Sequence, residues 1–220
     1  MVEPGLRELK KARTRHLIAA TAARLFAERG YDNVAVRDVA REAEVAEQTV
    51  YNYFPTKEQL VTDREQQVQD RLCELIRLRS AIATPAAAVR DFLLESVTRI
   101  GEIPADEWRG ELGYLAAIST SVYRLSLELV DRLAAALAGA IGETSTVAPE
   151  IAKLEGIALA GVLQIIISES GQRTVAGHRQ AEIVEGLSAE VEHILDELDY
   201  WFRSPPRPLR QTPRSGRART

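Results

Sequence analysis

Between Glu47 and Lys57 the chain reads EQTVYNYFPTK. Aromatic residues make up only 5% of the sequence, yet three of them fall in this short stretch beside two threonines, two amides and a lysine. The hydroxyls of Thr49, Tyr51 and Tyr53 can donate to phosphate oxygens. The amides of Gln48 and Asn52 can address a base edge with two hydrogen bonds at once. The same side chains also suit an ordinary two-helix corner whose tyrosines pack on a neighbour, and residue type alone does not choose between these readings. No other constellation has catalytic or metal-ligating spacing. His16, His178 and His193 are the three histidines. The last two would lie about 22 Å apart on one helix at 1.5 Å per residue. No cysteine pair joins them, since Cys73 stands alone, so a zinc site is not expected. The glycines are scattered rather than gathered in a phosphate loop. No enzyme activity and no cofactor are expected.

The elements around EQTVYNYF follow from periodicity. Ile18, Ala22, Leu25 and Phe26 make one apolar stripe from Thr14 onward, ended by Gly30 after Arg29. AVRDVAREA, residues 35–43, reads as a short helix with Val36, Val39 and Ala40 on one face. Glu47 to Phe54 reads as another, stopped by Pro55. Two short helices joined through Glu44-Val45 make a helix-turn-helix, with Val39, Ala40, Val45 and Val50 where they must pack. Thr56 is placed to cap a long fourth helix running through Leu60, Val68, Leu72 and Ile76.

The remainder also reads as helical. Pro85 opens a helix to about Ile103. Residues 105–118 and 119–141 form two more, Pro149 opens a strongly apolar one, and His178 to Phe202 is amphipathic. No strand alternation or repeat is evident. The expected architecture is all-α: a flexible basic arm at 1–13, a helix-turn-helix domain at 14–56, a helical domain at 57–202 and a disordered Arg/Pro-rich tail at 203–220. No run of about eighteen apolar residues signals a membrane span and no apolar leader is present, so a cytoplasmic location is expected.

The net charge of −4 is unevenly spread: +1 over residues 1–60, −11 over 61–202 and +6 over 203–220. Basic ends on an acidic body suit an anionic partner. They equally suit solvated tails. Arg7, Lys10, Lys11, Arg13 and Arg15 are placed either to follow a nucleic-acid backbone or to lie in solvent.

The longer stretch AARLFAERGYDNVAVRDVAREAEVAEQTVYNYFPTKEQLV resembles the DNA-binding domain of the TetR family of bacterial transcriptional regulators. The resemblance covers roughly residues 12–70. It implies a homodimeric regulator, usually a repressor, that binds a palindromic DNA operator and is released by a small-molecule effector. Thr49 and Tyr51 resemble the phosphate-binding pair of the recognition helix, and Lys57 the lysine at the start of helix 4 that touches the backbone. Gln48, Asn52 and Arg37 are the candidates for base contacts, and Tyr53 is a further phosphate candidate. Four residues depart from the family pattern: Ala35 and Ala46 at cap positions, Glu44 where the turn has glycine, and Glu47 where a basic residue is frequent. A non-glycine at Glu44 is strained if the turn needs positive φ, and Ala46 forgoes about 1 kcal/mol of capping.

For the effector the candidates are Phe92, Trp108, Tyr114, Tyr123 and Gln164, aromatic bodies with a few polar groups. For the dimer they are Ile157, Ala158, Gly161 and Ile165 on the penultimate helix and Val184, Leu187, Val191 and Leu198 on the last. As the family implies, these would form a four-helix bundle between two copies, unless both stripes are used within one chain. The rival reading is a helical protein–protein adaptor that keeps a helix-turn-helix corner without binding DNA.

Overall fold

The computed structural model describes residues 5–203. The expected tail beyond Arg203 and the first four residues of the arm lie outside that range, and Arg203 itself is helical. Within it the chain is all-α, with α1 (Leu6–Arg29), α2 (Val36–Glu42), α3 (Glu47–Tyr53), α4 (Glu65–Leu78), α5 (Pro85–Glu102), α6 (Ala105–Trp108), α7 (Leu112–Ile118), α8 (Thr120–Thr144), α9 (Pro149–Val175) and α10 (Gln180–Arg203). Short 3-10 turns occupy Tyr31–Asn33 and Glu58–Leu60.

Two hydrophobic cores organise these helices. The first joins Ile18, Leu25 and Phe26 of α1 to Val39 of α2, Val50 of α3, and Phe54 and Leu60. It does not stop at residue 56: Leu112, Leu115 and Val122, from α7 and the first turn of α8, close it from the other domain. The second core is built by α4, α5, α8, α9 and α10, around Leu72, Leu93, Leu137, Leu159 and Leu187. There α8 lies along α9, α10 along α5, and α7 crosses α9.

Several element boundaries differ from the sequence expectation, each for a local reason. Helix α1 begins at Leu6, so residues 6–13 are helical rather than a loose arm. LRELKKAR consists mainly of strong helix formers, and the Gly5 amide donates to Glu8 Oε2 at 3.2 Å. The fourth helix does not start at Thr56. Leu60 is drawn into the first core, Lys57 Nζ donates to the Tyr31 carbonyl at 2.6 Å, and Asp63 pairs with Arg15. Those contacts hold residues 54–64 in an irregular path, and α4 starts only at Glu65. The expected helix 105–118 is two pieces, because Gly110 packs directly on the Ala23 backbone of α1. His178 precedes α10 rather than opening it.

Candidate nucleic-acid interface

Residue Glu44 carries a φ of 54°, the left-handed conformation that the turn between α2 and α3 demands. The turn is closed by Val45 N donating to the Ala40 carbonyl at 3.0 Å. Ala43 and Val50 are buried beneath it. The N-terminus of α3 has Ala46 as its cap and no side-chain acceptor there. Glu47 in the first turn compensates in part, since a carboxylate favours the positive end of the helix dipole. At α2 the cap is Ala35, whose amide is satisfied from the other side by Asp38 Oδ2 at 3.0 Å. That bond holds the Asp38 carboxyl below its ordinary range.

Val50 and Phe54 anchor the inner face of α3, both at most 1% exposed. The outer face presents Gln48, Tyr51 and Asn52 to solvent, with Thr49 half-buried at its edge. Gln48 Nε2 donates to Asn52 Oδ1 at 3.3 Å, so the two amides lie together one turn apart. Arg37 is exposed in the first turn of α2. Four hydroxyl and amide side chains thus share one short helix that is fixed from behind.

The other expected contacts are drawn inward. Tyr53 is half-buried and packs on the first core. Lys57 sits in the irregular segment rather than at the start of α4. Its ammonium lies 4.0 Å from the Tyr31 ring centroid, and burial lowers its pKa despite the carboxylates of Asp32 and Glu58. Lys57 therefore clamps this turn to α1's C-terminal corner, and a phosphate contact would use the donors it has left. Arg15 is not an outward-reaching basic residue either. Its guanidinium donates to the carbonyl of Tyr53, the last residue of α3, at 2.7 Å, pairs with Asp63, and lies 4.4 Å over the Phe54 ring. Sequence spacing offers no signal for this clamp, since Arg15 and Tyr53 are 38 residues apart. Arg7, Lys10, Lys11 and Arg13 are exposed on the first turns of α1.

The expected effector residues are not gathered into one site. Trp108 is buried, with its indole N–H donating to Thr174 Oγ1 at 2.9 Å, so it locks α6 to α9. Tyr114 packs on the first core and Phe92 on the second. Tyr123 is exposed. The Gln164 amide oxygen is buried without a hydrogen-bond partner. None of the five lines either of two open cavities in the fold. One, about 270 Å³, lies between α4, α8 and α9. The other, about 810 Å³, runs between α1, the 61–67 segment and residues 107–112. Arg15, Asp63 and Glu65 line both. Asp63 and Glu65 carry no sequence signal for such a place, because a charged run like Asp63-Arg64-Glu65 also fits a solvated helix face.

The expected dimer stripe is divided. Leu187 and Val191 are fully buried within this chain, and Val184 and Leu198 pack on the second core. Within one chain α10 thus already packs Leu187 and Val191 fully, and Val184 and Leu198 in part, against its own core. On α9, Ile157 remains 49% exposed, Ala158 and Ile165 are half-buried, and nothing stands within 4 Å of where a Gly161 side chain would be.

Compared with known proteins, residues 18–63 match the family model described as bacterial regulatory proteins, tetR family. That span contains α2, the strained turn and α3. Over that span the chain resembles the TetR family. The transcriptional regulator TcmR of Streptomyces glaucescens is 23% identical to it over 206 residues, covering 89% of this chain and 87% of TcmR. YuxN of Bacillus subtilis (strain 168), an HTH-type transcriptional regulator, is 31% identical over 75 residues, covering 34% of this chain and 26% of YuxN. Among solved structures, NalD of Pseudomonas aeruginosa, the secondary repressor of the MexAB-OprM multidrug efflux pump, superposes with a TM-score of 0.55 at 18% identity, over 83% of this chain and 96% of NalD. That likeness extends the TetR fold to the C-terminal helical domain. These likenesses support a TetR-type transcriptional regulator with a helix-turn-helix.

Proposed function

We infer that the protein is a ligand-responsive repressor that binds a palindromic operator as a homodimer in the cytoplasm and is released by a small-molecule effector. The observation that carries this reading is the outer face of α3, where Gln48, Tyr51 and Asn52 stand exposed over the buried Val50 and Phe54. Thr49 and Tyr51 are assigned to phosphates, Gln48 and Asn52 to base edges with Arg37 beside them, and the exposed basics of α1 to the flanking backbone. Tyr53 and Lys57 keep a lesser part, because their side chains are engaged within the domain.

Release by an effector is supported by where the cavities lie. Both touch Arg15 and Asp63, and Arg15 holds the end of α3. A ligand that disturbs this pair would loosen the reading helix. The dimer is assigned to the outward side of α9. Two copies then present two α3 helices to half-sites about 34–36 Å apart or a multiple of that.

The test is selection of genomic fragments by purified protein, followed by fluorescence anisotropy on the enriched site. Wild type is expected to enrich a palindrome, and Thr49→Ala/Tyr51→Ala to lose about 1.5–3 kcal/mol per phosphate contact, with a shallower salt dependence. Failure of wild type to enrich any site at low salt, after refolding to strip bound ligand, would end the operator reading.

A further inference from the structure

We propose that the cavity between α4, α8 and α9 takes a compact organic cation with an apolar body, and that Glu65 is its counter-ion. The proposal rests on the ligand-responsive reading and names the chemistry of the ligand.

At about 270 Å³ the cavity is near the small end of ligand sites. Part of its wall is apolar, with Val68 from α4, Leu129, Val130 and Leu133 from α8, and Leu163 and Ile167 from α9, and the rest is polar or charged. Its charged groups are unequal in what they have left to offer. Arg15 and Asp63 neutralise each other, and Arg15 also serves the Tyr53 carbonyl. Arg132 is exposed. Glu65 is half-buried, and among the described residues no hydrogen bond or ion pair reaches its carboxyl. A carboxyl partly withdrawn from water without a partner carries a desolvation cost, and a ligand that supplies the missing charge and donors offsets it.

The groups facing Glu65 are Arg15 on α1, Asp63 and Arg64 on the connecting segment, Glu111 at the start of α7 and Arg132 on α8. Arg64 lies 3.8 Å from Glu111. Burial first, then repulsion from Glu111, pushes the Glu65 carboxyl up to about 7 against the pull of Arg132. A bound ammonium opposes both effects. Below pH ~7 binding must expel the Glu65 proton, so affinity should rise with pH up to about 7 and then level off.

The experiment is calorimetric titration of the full chain with phenethylammonium, 2-phenylethanol and 3-phenylpropionate, three probes of one size and different charge. The cation is expected to bind at least about tenfold tighter than the other two, and about tenfold tighter at pH 8 than at pH 6. Glu65→Gln should abolish both the preference and the pH dependence. Val68→Phe, which fills the cavity and leaves Glu65 intact, should abolish binding of all three probes, and it keeps the test decisive should the Gln variant misfold. Binding of the alcohol or the acid as tightly as the cation overturns the proposal, as does no binding of any probe or a cation preference that survives Glu65→Gln. These titrations contain no DNA. Operator binding without cation binding therefore sinks only this site, and cation binding without operator binding sinks only the repressor reading.

Discussion

Glu44 shows most directly how one side chain can work against its own backbone. At φ 54° an L-residue with a Cβ is disfavoured by roughly 1–2 kcal/mol, a cost glycine does not carry. Glu44→Gly should raise stability by about 1 kcal/mol, read as a higher urea midpoint with an unchanged slope. Glu65 works against the fold in a different way. The native carboxyl keeps its proton to about pH 7, whereas the unfolded one releases it near 4.5. The native state therefore binds more protons between those values, and stability falls as pH rises through that window. Glu65→Gln should be more stable than wild type at pH 8, by on the order of 1–3 kcal/mol, with the difference shrinking toward zero near pH 4.5. Urea unfolding across that range, in the absence of ligand, measures it.

Among the elements, the crossing of α7 and α9 has the least tolerance. A Cβ at Gly171 would stand 1.9 Å from the Gly113 carbonyl oxygen. Backbone rather than a rotatable side chain fills that space, so the helices must separate. Gly171→Ala should cost about 3 kcal/mol or more, seen as a lowered thermal midpoint. The first core should suffer as well, because α7 also carries Leu112 and Leu115 into it. Segment 54–64 shows the converse: a stretch with a helical pattern stays irregular because Lys57, Leu60 and Asp63 each have a partner outside it.

For the whole molecule the decisive element is α9. It is long and apolar enough, by length and composition, to cross a membrane. An all-round apolar helix must be covered on all sides, and here α5, α7, α8 and α10 cover it in part, leaving Leu154 and Ile157 about half exposed. A second copy of the chain would cover the rest. Ile157→Asp should yield a monomer of unchanged helicity by light scattering and circular dichroism, with much weaker binding to a two-half-site operator. A dimer that persists in this variant would place the interface elsewhere.

The all-α class, the helix-turn-helix and the face of α3 were legible because each is a local pattern. Periodicity marks the buried stripe, Pro55 marks the stop, and what is left over on α3 is polar. Strain at Glu44 was expected on the condition that the turn needs positive φ, and the fold supplies that condition. Other matters depended on which distant surfaces meet. Arg15 and Lys57 read as free cations, but tertiary packing turns them inward onto Tyr53 and Tyr31. Leu187 and Val191 read as an interface, but α5 and the second core take them. An apolar stripe states that a face must be buried and not against what. The five expected effector residues were chosen by type, while a cavity is defined by where packing fails to fill space. That is why Glu65, unremarkable in a run of charges, became visible only when the helices around it were in place.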